Sequence, residues 1–385
     1  MQRKRIGILT LFYRNYNYGG ILQAYSTYTF LKTNGYDCNE INYSSEEIRQ
    51  LQRKHIILSG LSHPFSFINN IVRHRIGALQ YKKIYPDYPV VKAFDTFMKS
   101  EFTQTSLTTD TTINSLSDSF DVVIVGGDQV WNPTWTDKNY FLDFVKSGKK
   151  VAFSCSIGKD MLTNEERQIL KKRITNIDIV SVREDLANKI LLKLGIKSEQ
   201  VPDPVFLLTK DHWKHFGRSP LQSNDHYVFS YLLGEDKERR NQIKAFAKKN
   251  GLKLVTIPNL SNRINKNDKD YADIDVIDAG PKEFVGLIAN AEYVMTDSFH
   301  GTAFSLILNK PFRCFSRFSK NDSDAQNSRL LSILKLYNEE ELYIDVEHIG
   351  NLKIESRSND DITKREEVTN SLRKKGQGYL LQAIK

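Results

Sequence analysis

The chain has 385 residues, with 55 Lys and Arg against 46 Asp and Glu, a formal net charge of +9 at pH 7, and 40% hydrophobic residues. At roughly 150 residues per domain this is length for about two domains, and the balance excludes a mainly disordered chain, a collagen-like fibre and a disulfide-held mini-protein. Cys38, Cys155 and Cys314 stand far apart with no CxxC spacing, which predicts no metal site and a reducing compartment. Arg14, Asn15 and Asn17 interrupt any signal-peptide core, and no apolar run approaches the roughly 18 residues of a spanning helix. A cytoplasmic location is expected.

Arg5–Phe12 reads as a strand, followed by a Gly-containing loop and a helix from about Gly20 to Asn34, with Gly35 at the expected C-terminal cap. Asp37–Tyr43 is the next strand. An insertion at about 44–115 follows, and between Arg49 and Lys83 it holds seven Lys and Arg and no Asp or Glu. Ile68, Ile71, Val72, Ile76 and Leu79 follow helical spacing there, so part of it is an amphipathic helix with a basic face. Two uses fit equally: contact with an anionic membrane surface or an anionic substrate, or packing on its own domain with the charges solvated. No recognised nucleic-acid motif accompanies the charge, so nucleic acid is not an expected partner.

Asp121–Val125 is a near-continuous apolar run of the kind buried in parallel sheets. Lys150–Ile157 is another strand, and Thr163 with Glu166 three residues on forms a capping-box pattern. Ile179–Arg183, a helix to about Leu194, and a strand Val201–Leu208 complete the first half. In the second half, strands His226–Leu233, Leu252–Ile257, Tyr293–Thr296 and Pro311–Phe315 alternate with helices at about Asp236–Asn250, Pro281–Ala291 and His300–Asn309. The alternation predicts two α/β halves with parallel sheets facing across a cleft. The boundaries expected are 1–204, 205–360, and a polar C-terminal helix over 361–385.

In such sheets ligands bind beyond the carboxyl ends of the strands. After the first strand, Asn17-Tyr18-Gly19-Gly20 opens a helix and allows close backbone approach to a ligand, or is simply a tight turn. After Val125, Gly126-Gly127-Asp128-Gln129-Val130-Trp131 places a carboxylate, an amide and an indole at the cleft. Asp128 there is either a base for a hydroxyl or a turn cap. Arg183 ends another strand and suits bidentate capture of a carboxylate or phosphate, unless Glu184 simply pairs with it at the surface. Ser298-Phe299-His300-Gly301-Thr302 joins an apolar strand to an apolar helix, with Ser298 as N-cap, a place where phosphate binds and His300 can donate a proton.

Asn17-Tyr18-Gly19-Gly20 with Gln23, Gly126-Gly127-Asp128-Gln129 with Trp131, Ser181 with Arg183-Glu184, Pro202-Asp203-Pro204, and Ser298-Phe299-His300-Gly301 occur in this order. The ordered set resembles the polysaccharide pyruvyl transferase family over roughly Ile6 to Phe315. The resemblance implies a GT-B-like pair of Rossmann-type domains and transfer of a 1-carboxyethylidene group from phosphoenolpyruvate to two hydroxyls of a sugar, forming a cyclic ketal in surface polysaccharide synthesis. It gives Arg183 a donor-binding role and His300 an acid role. Many relatives carry a different small residue in place of Asp128.

On this reading the donor lies against Arg183 and Ser298–Thr302. The acceptor lies against Asn17, Tyr18, Gly19, Gly20, Gly127, Asp128, Gln129 and Trp131. Galactose bridged at O4 and O6 is the expected acceptor, on a lipid-linked oligosaccharide, which would give the 49–83 segment a use at the inner membrane face. No cofactor or metal is expected beyond phosphoenolpyruvate as co-substrate. Three alternatives compete: a nucleotide-sugar glycosyltransferase of the same fold, a non-catalytic sugar-binding protein of the same pathway, and, more weakly, an acyl-transfer enzyme with a cysteine nucleophile.

Overall fold

The computed structural model describes residues 3–46, 89–133, 136–258, 267–317, 327–344, 346–354 and 358–385. The 49–83 segment, with its expected basic helix and membrane contact, lies outside the described residues.

The first half is built on six parallel strands. Apolar, β-branched runs form its centre: β1 (Arg5–Leu9), β5 (Val122–Gly126) and β6 (Lys149–Cys155), with β5 buried along its whole length. β2 (Asp37–Glu40) flanks β1, and β7 (Ile179–Val182) and β8 (Glu199–Gln200) extend the other side, giving the order β2-β1-β5-β6-β7-β8. The expected second strand is split. It ends at Glu40, and β3 (Tyr43–Ser44) pairs with β4 (Thr108–Thr109) in a separate two-stranded ladder.

The second half repeats the plan with five parallel strands in the order β11-β10-β9-β12-β13. These are β9 (Tyr227–Tyr231), β10 (Lys253–Thr256), β11 (Ile274–Asp275), β12 (Tyr293–Thr296) and β13 (Phe312–Cys314). Helices cover both sheets, as parallel ladders require. In chain order they are α1 (Tyr18–Thr33), α2 (Pro89–Glu101), α3 (Asn164–Ile174), α4 (Asp185–Lys193), α5 (Lys210–Phe216), α6 (Lys237–Lys249), α7 (Pro281–Asn290), α8 (Phe299–Ile307), α9 (Ser328–Tyr337) and α10 (Asn359–Ala383). The capping box read from Thr163 and Glu166 is present at α3.

The expected strand Val201–Leu208 does not form. Pro202 and Pro204 lack the N–H a ladder needs, and Asp203 instead caps a 3-10 turn, Pro204–Leu207, by accepting from Val205 N at 3.0 Å. That turn carries the chain between the halves. One hydrophobic cluster runs from Ile8 and Ile21 of the first half through Val205 and Phe206 to Phe229, Phe284 and Phe304 of the second.

α10 returns to the first half. Gln377 Nε2 donates to Leu207 O at 2.7 Å, Tyr379 stacks on Phe153, and Lys4 Nζ donates to Ile384 O at 3.0 Å. The C-terminal helix therefore joins the second half back to the first sheet.

Candidate functional site

The carboxyl ends of β5 and β7 face the 3-10 turn and the start of α8. Arg183 follows β7 directly, its N–H held by Cys155 O at 3.0 Å, and its side chain is 2% exposed. Nε donates to Glu184 Oε1 at 3.0 Å and Nη1 to Asp203 Oδ2 at 2.6 Å. The guanidinium carbon lies 4.2 Å from the centre of the Phe299 ring, a cation–π contact. Nη2 is buried and has no partner among the described residues. Burial opposes the charge, but the carboxylates of Glu184, Asp203 and Asp128 outweigh it and push the Arg183 pKa further up.

β12 ends at Thr296, and Ser298 caps α8 by accepting from Gly301 N at 3.3 Å. The cap places His300 in the first turn, buried between the halves. Its Nε2 stands 3.5 Å from Asp203 Oδ2 without a hydrogen-bond partner among the described residues. Its other ring nitrogen lies on Gly19 of α1: a Cβ at residue 19 would come within 1.8 Å of His300 Nδ1. Only glycine permits that approach. Burial alone would raise the Asp203 carboxyl; the neighbouring His300 and Arg183, with the Val205 N–H, bring it well below the usual carboxylate range.

A cleft beside Arg183 is lined by Glu184, Asp203, Phe206, Phe299 and Arg329 of α9. Burial and the nearby Arg183 lower Arg329 to about 10, against the pull of Glu184 and Asp128. Two guanidiniums thus line one small cavity of about 20 Å³, roughly the room of a single water. Glu184 also accepts from Ser156 Oγ at 2.6 Å. It is therefore a buried anchor for Arg183, not a surface partner.

The head of α1 lies against His300 at Gly19, and next to it Gly20 approaches the loop after β5. Asp128 is partly exposed, and its carboxylate lies 3.2 Å from the position of a Cβ on Gly20. Gln129 lies beside it, its Oε1 accepting from Asn132 Nδ2 at 3.0 Å. Gly127 has φ +81° and lies so close to Gln23 that a Cβ would meet Gln23 Oε1 at 1.5 Å. Asn17 is exposed and caps α1 by accepting from Gly20 N at 3.1 Å.

Three residues chosen from sequence are placed differently. Trp131 is fully buried, its Nε1 donates to Tyr140 O at 3.0 Å, and it stacks on Phe141; it packs the core and offers no acceptor surface. Tyr18 is buried, donates its hydroxyl to Ala279 O at 2.7 Å and stacks on Phe284. It fastens the two halves together. Thr302 is likewise fully buried. Ser298 spends its hydroxyl on the cap, accepting from Gly301 N.

Sequence reading gave Asp203 no role and did not reach Arg329. Leu330, Ile333, Leu334 and Tyr337 form the buried stripe of α9, and their three- and four-residue spacing was the available signal.

Among the described residues no group of three or more His, Cys, Asp or Glu is placed to hold a metal, and no helix is long and apolar enough to cross a membrane. The three cysteines are free and buried. Burial pushes the Cys38 and Cys314 thiols up to about 12 and Cys155 well above its ordinary value, which disfavours the thiolate a nucleophile needs.

The family model for polysaccharide pyruvyl transferase matches residues 17–319. A search of curated proteins returns no match. Among solved structures, a putative UDP-N-acetylglucosamine 2-epimerase from Listeria monocytogenes is 10% identical, with a TM-score of 0.55 over 100% of this chain and 96% of that one. A UDP-N-acetylglucosamine 2-epimerase from Rickettsia bellii is 10% identical, with a TM-score of 0.51 over 100% and 96%. At these identities the likeness establishes the GT-B-like fold alone. The chain belongs to the polysaccharide pyruvyl transferase family.

Proposed function

We propose that this member of the polysaccharide pyruvyl transferase family takes its pyruvyl group from phosphoenolpyruvate and closes it as a cyclic ketal on two hydroxyls of one sugar. The observation that carries the reading is the buried Nη2 of Arg183, without a partner among the described residues, on a guanidinium that shares the Asp203 carboxylate with His300. A buried donor left without a partner is costly unless a ligand completes it.

The chemistry asks for an anion grip, an acid, a base and shelter from water. The methylene carbon of phosphoenolpyruvate gains a proton and becomes a methyl group, leaving cationic character at the carbon that bears phosphate. One sugar hydroxyl adds there and loses its proton, phosphate departs with its bonding pair, and the second hydroxyl closes the ring and loses the other proton. The sum is donor plus diol giving ketal plus phosphate.

Arg183 and Arg329 bind the donor's two anionic groups. His300 supplies a proton, a role typically worth about 10²–10⁴-fold in rate. Asp128, partly exposed, takes the proton from the acceptor hydroxyl. Gln129, Gly20 and Asn17 lie on the acceptor's side. No cofactor or metal enters this scheme. The acceptor is galactose at O4 and O6, carried on a lipid-linked oligosaccharide at the cytoplasmic face of the membrane.

The test is phosphate release from phosphoenolpyruvate with galactosides and N-acetylmannosamine derivatives, free and lipid-linked, with mass spectrometry of the product. Acceptor-dependent release with an added carboxyethylidene group is expected. No release across the panel, together with turnover of a nucleotide sugar, would overturn the reading.

A further inference from the structure

We propose that Asp203 is the positioning residue of this site: one carboxylate fixes both the proton on His300 Nε2 and the edge of the guanidinium that Arg183 presents to its ligand. The proposal rests on the roles given above to Arg183 and His300.

Asp203 is held at both oxygens. Oδ1 accepts from Val205 N at 3.0 Å as the cap of the 3-10 turn. Oδ2 therefore points one way, and it both receives Arg183 Nη1 at 2.6 Å and faces His300 Nε2 at 3.5 Å. The residue is 2% exposed, so no water competes freely for that oxygen. Pro202 and Pro204 on either side restrict the backbone that carries it.

Two consequences follow from geometry. A carboxylate facing one nitrogen of an imidazole keeps the proton on that nitrogen and sets the ring's orientation. Meanwhile Glu184 takes Nε of Arg183 and Asp203 takes Nη1, so of the guanidinium's three nitrogens Nη2 alone is left to meet a ligand. The same oxygen thus ties a side chain of the first half to one of the second.

The experiment uses the full chain with two substitutions, Asp203→Asn and Asp203→Ser. Serine keeps an oxygen able to cap Val205 N and avoids setting an amide N–H against Arg183, so it stands in if the asparagine variant does not fold. In phosphate-release kinetics, kcat is expected to fall by about tenfold to a hundredfold, as for a reacting group displaced by about 1 Å. The donor KM changes by less than kcat does. In a His300→Ala background the Asp203 change is expected to cost clearly less in kcat than it does alone, because the arm through His300 is gone and only the arm through Arg183 remains. Full additivity, or a kcat unchanged by Asp203→Ser, would overturn the proposal.

A second readout needs no substrate. In the chain labelled with ¹⁵N-histidine, the His300 signals are identified by their loss in His300→Ala. Wild type is expected to carry a proton on Nε2, and Asp203→Ser to shift that signal or move the proton to Nδ1. Identical signals in both proteins would overturn the proposal. If wild-type protein releases no phosphate, the reaction reading fails, while the NMR comparison still decides the role of Asp203.

Discussion

Replacing Gly19 by alanine tests whether the contact between α1 and His300 belongs to the working site. The new Cβ would stand 1.8 Å from His300 Nδ1, 2.3 Å from Cγ and 2.4 Å from Cε1, where real Cβ contacts essentially never fall below 3.0 Å. The ring must retreat by more than about 1 Å, a displacement worth on the order of a hundredfold in rate when it separates reacting groups. Retreat is not free, because His300 is buried, with Phe299 edge-on at 5.1 Å and Asp203 on the other side.

Overpacking of this kind costs about 1–3 kcal/mol. Alanine in place of glycine inside a helix returns about 0.5–1 kcal/mol. The net destabilisation is therefore about 0–2.5 kcal/mol, a fall in melting temperature of no more than several degrees. The assay pairs phosphate release with a thermal melt. The expected variant folds, melts slightly lower and turns over about a hundredfold more slowly. Wild-type turnover together with an unchanged melt would refute the reasoning, since it would mean that His300 does not work from its seat on Gly19.

Arg329→Ala is expected to raise the donor KM about tenfold or more, the loss of about 1.4 kcal/mol of anion binding; an unchanged KM would take Arg329 out of the donor site. Trp131→Phe deletes the bond to Tyr140 O and is expected to destabilise by about 1–3 kcal/mol with the acceptor KM intact, whereas a raised acceptor KM at full stability would return Trp131 to the acceptor surface. Glu40 is fully buried, accepts from Thr10 Oγ1 at 2.6 Å, and burial raises its carboxyl to about 8. The folded protein then holds a proton that the unfolded chain has lost above about pH 4.5, so stability falls as pH rises from about 5 to 8, by up to about 4 kcal/mol at about 1.4 kcal/mol per tenfold in proton affinity. Glu40→Gln is expected to remove that fall in denaturant melts run at pH 5 and pH 8, and an unaltered slope would contradict it.

The parallel strands were legible because each is a short apolar run bounded by turn residues. Tyr293–Thr296 appears with the expected ends, and Val122–Gly126 differs by a residue at each. The strand drawn over Val201–Leu208 was wrong for a reason also visible in sequence, the two prolines around Asp203. Periodicity alone favoured the apolar Val205–Leu208, but the missing N–H groups outweighed it. α10 begins earlier than expected, at Asn359, because Ser358 accepts from Asp361 N at 3.1 Å and starts the helix.

The site was legible only one wall at a time. Each loop announced itself by residue type at a strand end, so Arg183, His300 and Asp128 could be picked locally. What the residues do to one another depends on approach across the two halves, which local sequence does not encode. Gly19 reads as a turn glycine until His300, 281 positions later, is seen resting on it. Trp131 reads as a stacking platform until Tyr140 O claims its N–H and Phe141 its face.

The division of labour follows from where charge can be buried. A guanidinium at 2% exposure is tolerable only with carboxylates fixed against it, and Glu184 and Asp203 supply them from one half of the chain. The imidazole arrives from the other half on α8. Opening the cleft would part His300 from both Asp203 and Gly19 while leaving Arg183 held by its own carboxylates. On the proposed function, donor capture needs Arg183 from the first half and Arg329 of α9 from the second, so it and proton transfer alike need the two halves closed together.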